Sequence, residues 1–257
     1  MIIKGRLRKS VEIALLKGAI FDLGGTLIHL TTSWEEVRKG RMNAICDALK
    51  ERGVVLDLND LKREYVRLHD EESDYSARTL EEIEFEESLT KLLDRLGVEM
   101  RQRPAMADLV KRSFALEVGS WVLFPGVQEM LEQVRSLGLK TGLLSNARSD
   151  WAVGEIVERL NLAKYFDAIV TSAAVGFRKP RPEPFQRILK LLDLDTSEVV
   201  MIGNSMEADI AGARPLGIRT IRVILDDSAD GDETDPDLTV SAVAGIVPAI
   251  RHIVAGR

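Results

Sequence analysis

Gly18-Ala19-Ile20-Phe21-Asp22-Leu23-Gly24-Gly25-Thr26-Leu27 decides the fold. An apolar run ends in an acid and then in paired glycines. A strand with one wet face alternates polar and apolar residues, whereas an unbroken run belongs to a strand buried on both faces. Comparable runs recur at 139–145, 168–172 and Val199–Gly203. A fifth run, 218–224, interleaves Arg219 and Arg222 with apolar residues and reads as an outer strand, and Leu238–Val240 reads as a short sixth. Helical periods at 127–137, 151–160, 184–192 and 210–216 separate them. Strand and helix in alternation predict an α/β chain with a Rossmann-like, doubly wound parallel sheet.

Residues 31–119 break that rhythm. They carry helical periods at 34–52, 58–68, 80–96 and 105–118 and no strand pattern, which predicts an all-helical insertion after the first strand. The division is then 1–17 as an amino-terminal extension, 18–30 and 120–257 as the α/β core domain, and 31–119 as the helical domain. Glu81, Glu82, Glu84, Glu86 and Glu87 read as a solvated helix face, and the seven carboxylates of 226–237 as a solvated connection. With 257 residues and 45% hydrophobic content the chain can bury one full core and a smaller lobe. A net charge of −6 argues against nucleic acid or an anionic membrane as partner, because both demand a concentrated basic face. The single cysteine, Cys46, excludes an internal disulfide. The apolar run from Val11 is broken by Glu12 and Lys17, so no secretion signal is expected. No uncharged apolar stretch of about 18 residues occurs, so no membrane span is expected either, and the expected compartment is the cytoplasm.

Asp22, Ser145 and Asn204 each stand at the carboxyl end of an apolar run, the edge where an open α/β sheet binds ligands. The turn Leu23-Gly24-Gly25-Thr26 offers backbone N–H groups that suit an anion. Lys179 supplies a positive charge from Arg178-Lys179-Pro180-Arg181-Pro182, whose prolines forbid regular structure. Asn204 and Asp209 bring two oxygens near the tip of the fourth run; with Asp22 opposite, they suit a hard cation such as Mg²⁺ that keeps several waters. Each also has a plain structural reading, Asp22 as a turn cap and Asn204 as a helix cap. Convergence on one edge favours the functional one.

These residues resemble the haloacid dehalogenase superfamily, mostly phosphatases, over the whole chain apart from the amino-terminal extension. Phe21-Asp22-Leu23-Gly24-Gly25-Thr26-Leu27 is similar to its first motif and Leu143-Leu144-Ser145-Asn146 to its second. Lys179-Pro180 is similar to the third, and Gly203-Asn204-Ser205 through Asp209 to the fourth. The helical insertion resembles the family's cap, which closes over the site and selects substrate. The resemblance implies that Asp22 is the nucleophile, forming an aspartyl-phosphate that water hydrolyses. It implies that Ser145, Asn146 and Lys179 meet a small phosphorylated substrate, and that Mg²⁺ is held by Asp22, the Gly24 carbonyl, Asn204 and Asp209.

Two positions depart from the family pattern. Family phosphatases carry a second aspartate two residues after the nucleophile, as acid and base; here that residue is Gly24. General acid–base help is typically worth about 10² to 10⁴ in rate, so the expected substrate has a good leaving group, or the cap supplies an acid. Asn204 replaces an acid and removes one negative charge from the metal set. Alternatives therefore stay open: a metal-independent 2-haloacid dehalogenase using Arg38 or Arg41, a phosphonatase-like hydrolase using Lys39, or a catalytically silent binding protein. His29 is close to the first motif and could serve as the acid or merely flank the strand end. Trp34 is expected at the hinge of the helical insertion or against substrate, His69 on an exposed helix face and the two arginines on helix surfaces; none of His29, His69 and Trp34 is proposed as catalytic.

Overall fold

The computed structural model describes residues 16–225 and 235–255; residues 1–15, most of the expected extension, and 226–234, most of the acidic connection, lie outside the described residues. In chain order the elements begin with β1 (Gly18–Phe21), β2 (Ile28–Leu30), α1 (Trp34–Lys50), α2 (Leu58–Thr79), α3 (Phe85–Arg95), α4 (Met106–Ser120) and β3 (Trp121–Leu123). They continue with α5 (Val127–Ser136), β4 (Lys140–Ser145), α6 (Asp150–Arg159), β5 (Ala168–Thr171), α7 (Ser172–Val175), α8 (Pro182–Leu192) and β6 (Val199–Gly203). The last are α9 (Ala211–Ala213), β7 (Arg219–Val223), β8 (Leu238–Val240) and α10 (Ile246–Val254).

Six strands form one sheet in the order β5-β4-β1-β6-β7-β8, every neighbouring pair parallel. The unbroken apolar runs follow from its two covered faces. Ala19 and Phe21 join Leu143, Val200, Ile202 and Ile221 in the cluster filled by α5, α6 and α10. Ile20, Leu144 and Met201 point the other way, onto Phe185, Ile188 and Leu192 of α8. β7 is not the outer strand its arginines suggest: β8 pairs along its far side, and Arg219 reaches past the sheet to donate to the Ile253 carbonyl at the end of α10, 3.0 Å away.

Helices α1–α4 lie between β2 and β3 and share a separate cluster that includes Ile45, Leu61, Leu89, Leu109 and Phe114, joined by Ala152 of α6. β2 and β3 pair antiparallel, with Leu30 opposite Trp121, so the strands entering and leaving the insertion are tied together. Three residues each are too few to show a period, and the sequence reading had no strand there. α2 continues to Thr79 rather than stopping at 68, because its buried stripe runs on from Tyr65 and Leu68 through the polar Glu72 and Ser76. Leu80, left-handed at φ 57°, ends α2, and α3 starts only at Phe85 instead of spanning 80–96. The glutamate run is accordingly not one solvated face. Glu82 is buried, accepts a hydrogen bond from Ser172 Oγ at 2.6 Å and pairs with Arg178 at 3.1 Å.

Ile188 sits in the middle of the α8 layer, fully buried against the sheet. Ile188→Ala is expected to cost about 2–5 kcal/mol by leaving a cavity, read as a lower urea midpoint with unchanged slope.

Candidate active site

Strand order makes the site. From β1 the chain crosses to β4 and β5 on one side, then to β6, β7 and β8 on the other. Order reverses at β1, which opens a crevice at the carboxyl ends of its neighbours. Asp22 follows β1, Ser145 ends β4, and Asn204 follows β6. The four residues 22, 145, 204 and 209 line one cavity of about 820 Å³ with Lys179, Gly24 and Asn146. Every residue that the resemblance assigned to the phosphatase site lines that cavity.

Lys179 holds the crevice together. Its Nζ donates to Asp22 Oδ1 at 2.7 Å, to Asp209 Oδ1 at 2.6 Å and to the Leu144 carbonyl at 2.7 Å. An ammonium has three protons, and all are used. The residue is only 3% exposed. Burial alone would drive its pKa down, but Asp209 and Asp22 outweigh it and hold the ammonium above its usual value. Burial also pushes the Asp209 carboxyl up to about 6, with Asp22 acting in the same direction and Lys179 against it.

Asn146 fixes the lysine from behind. The Lys179 backbone N–H donates to Asn146 Oδ1 at 2.8 Å, and Asn146 Nδ2 donates back to the Lys179 carbonyl at 3.0 Å. Met206–Ile210 forms a π-helical turn, so the helical segment between β6 and β7 starts earlier than the 210–216 pattern suggested. Within it Asp209 Oδ2 accepts from the Ser205 N–H at 3.0 Å, and Ser205 Oγ caps the turn by accepting from the Ala208 N–H at 3.1 Å. Gly203 has to be glycine because a Cβ would run into the Asp209 carboxylate. Gly25, at φ +77°, has a Cβ position blocked by the Asn204 amide, so the first-motif loop closes directly on the fourth. Thr26 Oγ1 stands 3.3 Å from Asp22 Oδ2 and 3.2 Å from Asn204 Oδ1, so its one proton serves either oxygen.

The far side of the cavity comes from α1, α2 and α4. Arg38 and Arg41 line it rather than lying on a helix surface. Arg41 forms an ion pair with Glu117 and covers the Phe114 ring at 4.4 Å. His69 also faces the cavity and is half-buried, against the expectation of an exposed position. Burial, then the guanidinium of Arg148, lower its pKa; Arg38 and Arg41 add to the effect and Asp70 opposes it. His29 is not part of the lining; its ring packs on Phe124 with centroids 4.8 Å apart. Lys39 is exposed and outside the lining. The sequence missed Glu72, Arg148 and Trp121. Arg148 pairs with buried Glu72 and crosses from the sheet edge to α2, a contact no local pattern encodes.

A sheet with this switch point, carrying these four motifs, defines the haloacid dehalogenase-like hydrolases. The sequence model of that family matches residues 16–217, and the chain belongs to it. It is 27% identical over 214 residues to the glyceraldehyde 3-phosphate phosphatase of Pyrococcus abyssi, covering 80% of this chain and 81% of that one. Its structure is similar to that of a 2-haloacid dehalogenase from Pseudomonas syringae pathovar tomato, at a TM-score of 0.65 and 26% identity over 93% of this chain and 99% of the other. It also superposes on a haloacid dehalogenase-type phosphatase from Thermococcus onnurineus, at a TM-score of 0.64 and 17% identity over 91% and 98% of the two chains. Among the described residues no helix is long and apolar enough to cross a membrane.

Removing the lysine leaves two buried carboxylates facing one another. Lys179→Met is expected to cost about 3–5 kcal/mol of stability, and adding Asp209→Asn should restore part of it, measured as urea midpoints of the two variants.

Proposed function

We propose that this hydrolase is a divalent-cation-dependent phosphatase that cleaves a small phosphorylated metabolite through an aspartyl-phosphate on Asp22. The observation that carries the reading is the ammonium of Lys179, bonded at once to Asp22 and Asp209 beneath a cavity that also contains Ser145. That contact orients the Asp22 carboxylate, whose Oδ2 stays available to a substrate beyond its long contact with Thr26. The likeness to an archaeal sugar-phosphate phosphatase supports a phosphorylated metabolite as substrate.

The donors suit Mg²⁺. Asp22, Asp209, the Asn204 amide oxygen and the Gly24 carbonyl are all hard oxygens. Two carboxylates against one ammonium leave a net negative charge, and Asp209, buried beside Asp22, is a group that a cation would relieve. Among the described residues no three carboxylates, imidazoles or thiols gather, so the set is weaker by the charge that Asn204 removes. When bound, the ion supplies charge neutralisation between Asp22 and the phosphate. The chain's own residues do the rest. Asp22 attacks phosphorus, and the leaving oxygen takes the bonding pair. The Ser145 hydroxyl donates to a phosphate oxygen, the Lys179 ammonium supplies positive charge beside Asp22 while keeping its three bonds, and Asn146 keeps Lys179 in register. Water then attacks phosphorus and frees Asp22. Residues 31–119 act as the cap over this chemistry, and 18–30 with 120–257 as the core.

A second reading follows from Gly24 and from the likeness to a 2-haloacid dehalogenase. Halide departs without a proton, so that reaction needs neither an acid at position 24 nor a cation; there Asp22 would attack carbon. Phosphonate cleavage through Lys39 is disfavoured, because that lysine is exposed and outside the cavity.

Phosphate release from phenyl phosphate should require Mg²⁺, vanish with chelator and vanish in Asp22→Asn. Chelator-resistant halide release from a 2-haloacid would overturn the phosphatase reading in favour of the second one. Ser145→Ala should lower kcat by about 10²–10³, the usual loss for one donor to the transferring group, as read from steady-state rates with Mg²⁺.

A further inference from the structure

The place of the missing second aspartate is bordered by an aromatic ring. A Cβ on Gly24 would lie 3.5 Å from Cη2 and 3.8 Å from Cζ3 of Trp121, ordinary van der Waals distances. The benzo edge of an indole therefore borders the flank of Asp22 where the resemblance leads one to expect a second aspartate. Trp121 comes from β3, at the exit of the helical insertion, and both it and Trp34, at the start of α1, line the cavity. The two rings meet edge to face, with centroids 6.1 Å apart at 70°, and Trp34 is 50% exposed. Trp121 Nε1 is buried and finds no hydrogen-bond partner among the described residues.

The glutamates and the histidine that line the cavity are poor substitutes for the acid. Glu117 is paired with Arg41, Glu72 with Arg148, and Glu82 with Arg178. Glu207 is exposed to solvent. Burial and the guanidiniums around it lower the pKa of His69, which disfavours the imidazolium that a general acid would need.

We infer that the substrate is an aryl phosphate monoester, whose ring packs against the Trp121–Trp34 wall and whose leaving oxygen departs without a proton. The inference rests on the phosphatase reading and specifies its substrate class. Asp22 forms an O–P bond as the P–O bond to the ring breaks, and the electron pair stays on the aryl oxide, where the ring delocalises it. Water then attacks the aspartyl-phosphate and releases hydrogen phosphate and one proton, which balances the proton that the aryl oxide takes from solvent. Flat aromatic ligands suit an edge-to-face pair with one open face, because offset and edge contacts are the favoured aromatic geometries.

The test compares phenyl, acetyl and ethyl phosphate with the full chain and Mg²⁺. Phenyl phosphate is expected to exceed ethyl phosphate in kcat/KM by about 10² or more, and Gly24→Asp should raise the ethyl-to-phenyl ratio of kcat/KM at least about tenfold. Comparing the two proteins on the same esters cancels the esters' intrinsic reactivity. Acetyl phosphate leaves easily but has no ring. Trp121→Leu should therefore raise KM for phenyl phosphate about three- to tenfold more than for acetyl phosphate, and Trp121→Phe should recover most of that difference. Should a Gly24 or Trp121 variant misfold, Asp22→Asn titrated with phenyl phosphate gives an independent readout: its indole fluorescence should change, and inorganic phosphate should change it much less. Equal KM shifts for the two good leaving groups, an equal gain for ethyl and phenyl phosphate from Gly24→Asp, or identical fluorescence responses would overturn the inference while leaving the phosphatase intact. No phosphate release from any of the three esters would instead remove the phosphatase reading itself.

Discussion

A single buried ammonium organises this molecule. Lys179 reaches Asp22 from β1, Asp209 from the turn after β6, and the carbonyl of Leu144 in β4. Three neighbouring strand tips are thus tied through one atom. Neither carboxylate would be tolerated at that depth without a counter-charge, and the ammonium would not survive without them, because the desolvation of each ion is offset only by the others. The arrangement is rigid in the sense that matters for chemistry, since the lysine's backbone is itself clamped on both sides by the Asn146 amide.

The surrounding backbone conforms to this requirement. Gly203 and Gly25 let the loops of the first and fourth motifs approach more closely than any side chain would permit. The π-helical turn at Met206–Ile210 carries Asp209 toward the lysine while Ser205 closes its start. The other side of the cavity is built differently. There the helical insertion contributes Trp34, Arg38, Arg41 and His69, and the linker strand β3 contributes Trp121, whose ring edge borders the position of a side chain at residue 24. In the proposed function the side bound to Lys179 carries the attack, and the helical side meets the leaving group.

Much of this was legible before any coordinates. The buried strands at 139–145 and Val199–Gly203 follow from uninterrupted hydrophobicity, and the ligand edge follows from polar residues at their ends. Residues whose partners are distant in the chain were misread. Glu82 looked like one more surface glutamate, yet Ser172 and Arg178 bury it. α2 seemed to end at 68 because its buried stripe becomes polar at Glu72, whose partners Arg148 and Ser88 come from elsewhere. Periodicity registers burial only where the buried residue is apolar.

The sequence alone determined the parallel sheet, the helical insertion and the set of residues at the reactive edge, because unbroken apolar runs and strand-end polar residues are local properties of the chain. Only the tertiary structure decided which of those residues touch, that His69 and two arginines turn inward, and that an indole borders the side of Asp22 left bare by Gly24. Those are contacts across many tens of residues, set by how the sheet and the helices pack, and packing has no local signature in the chain.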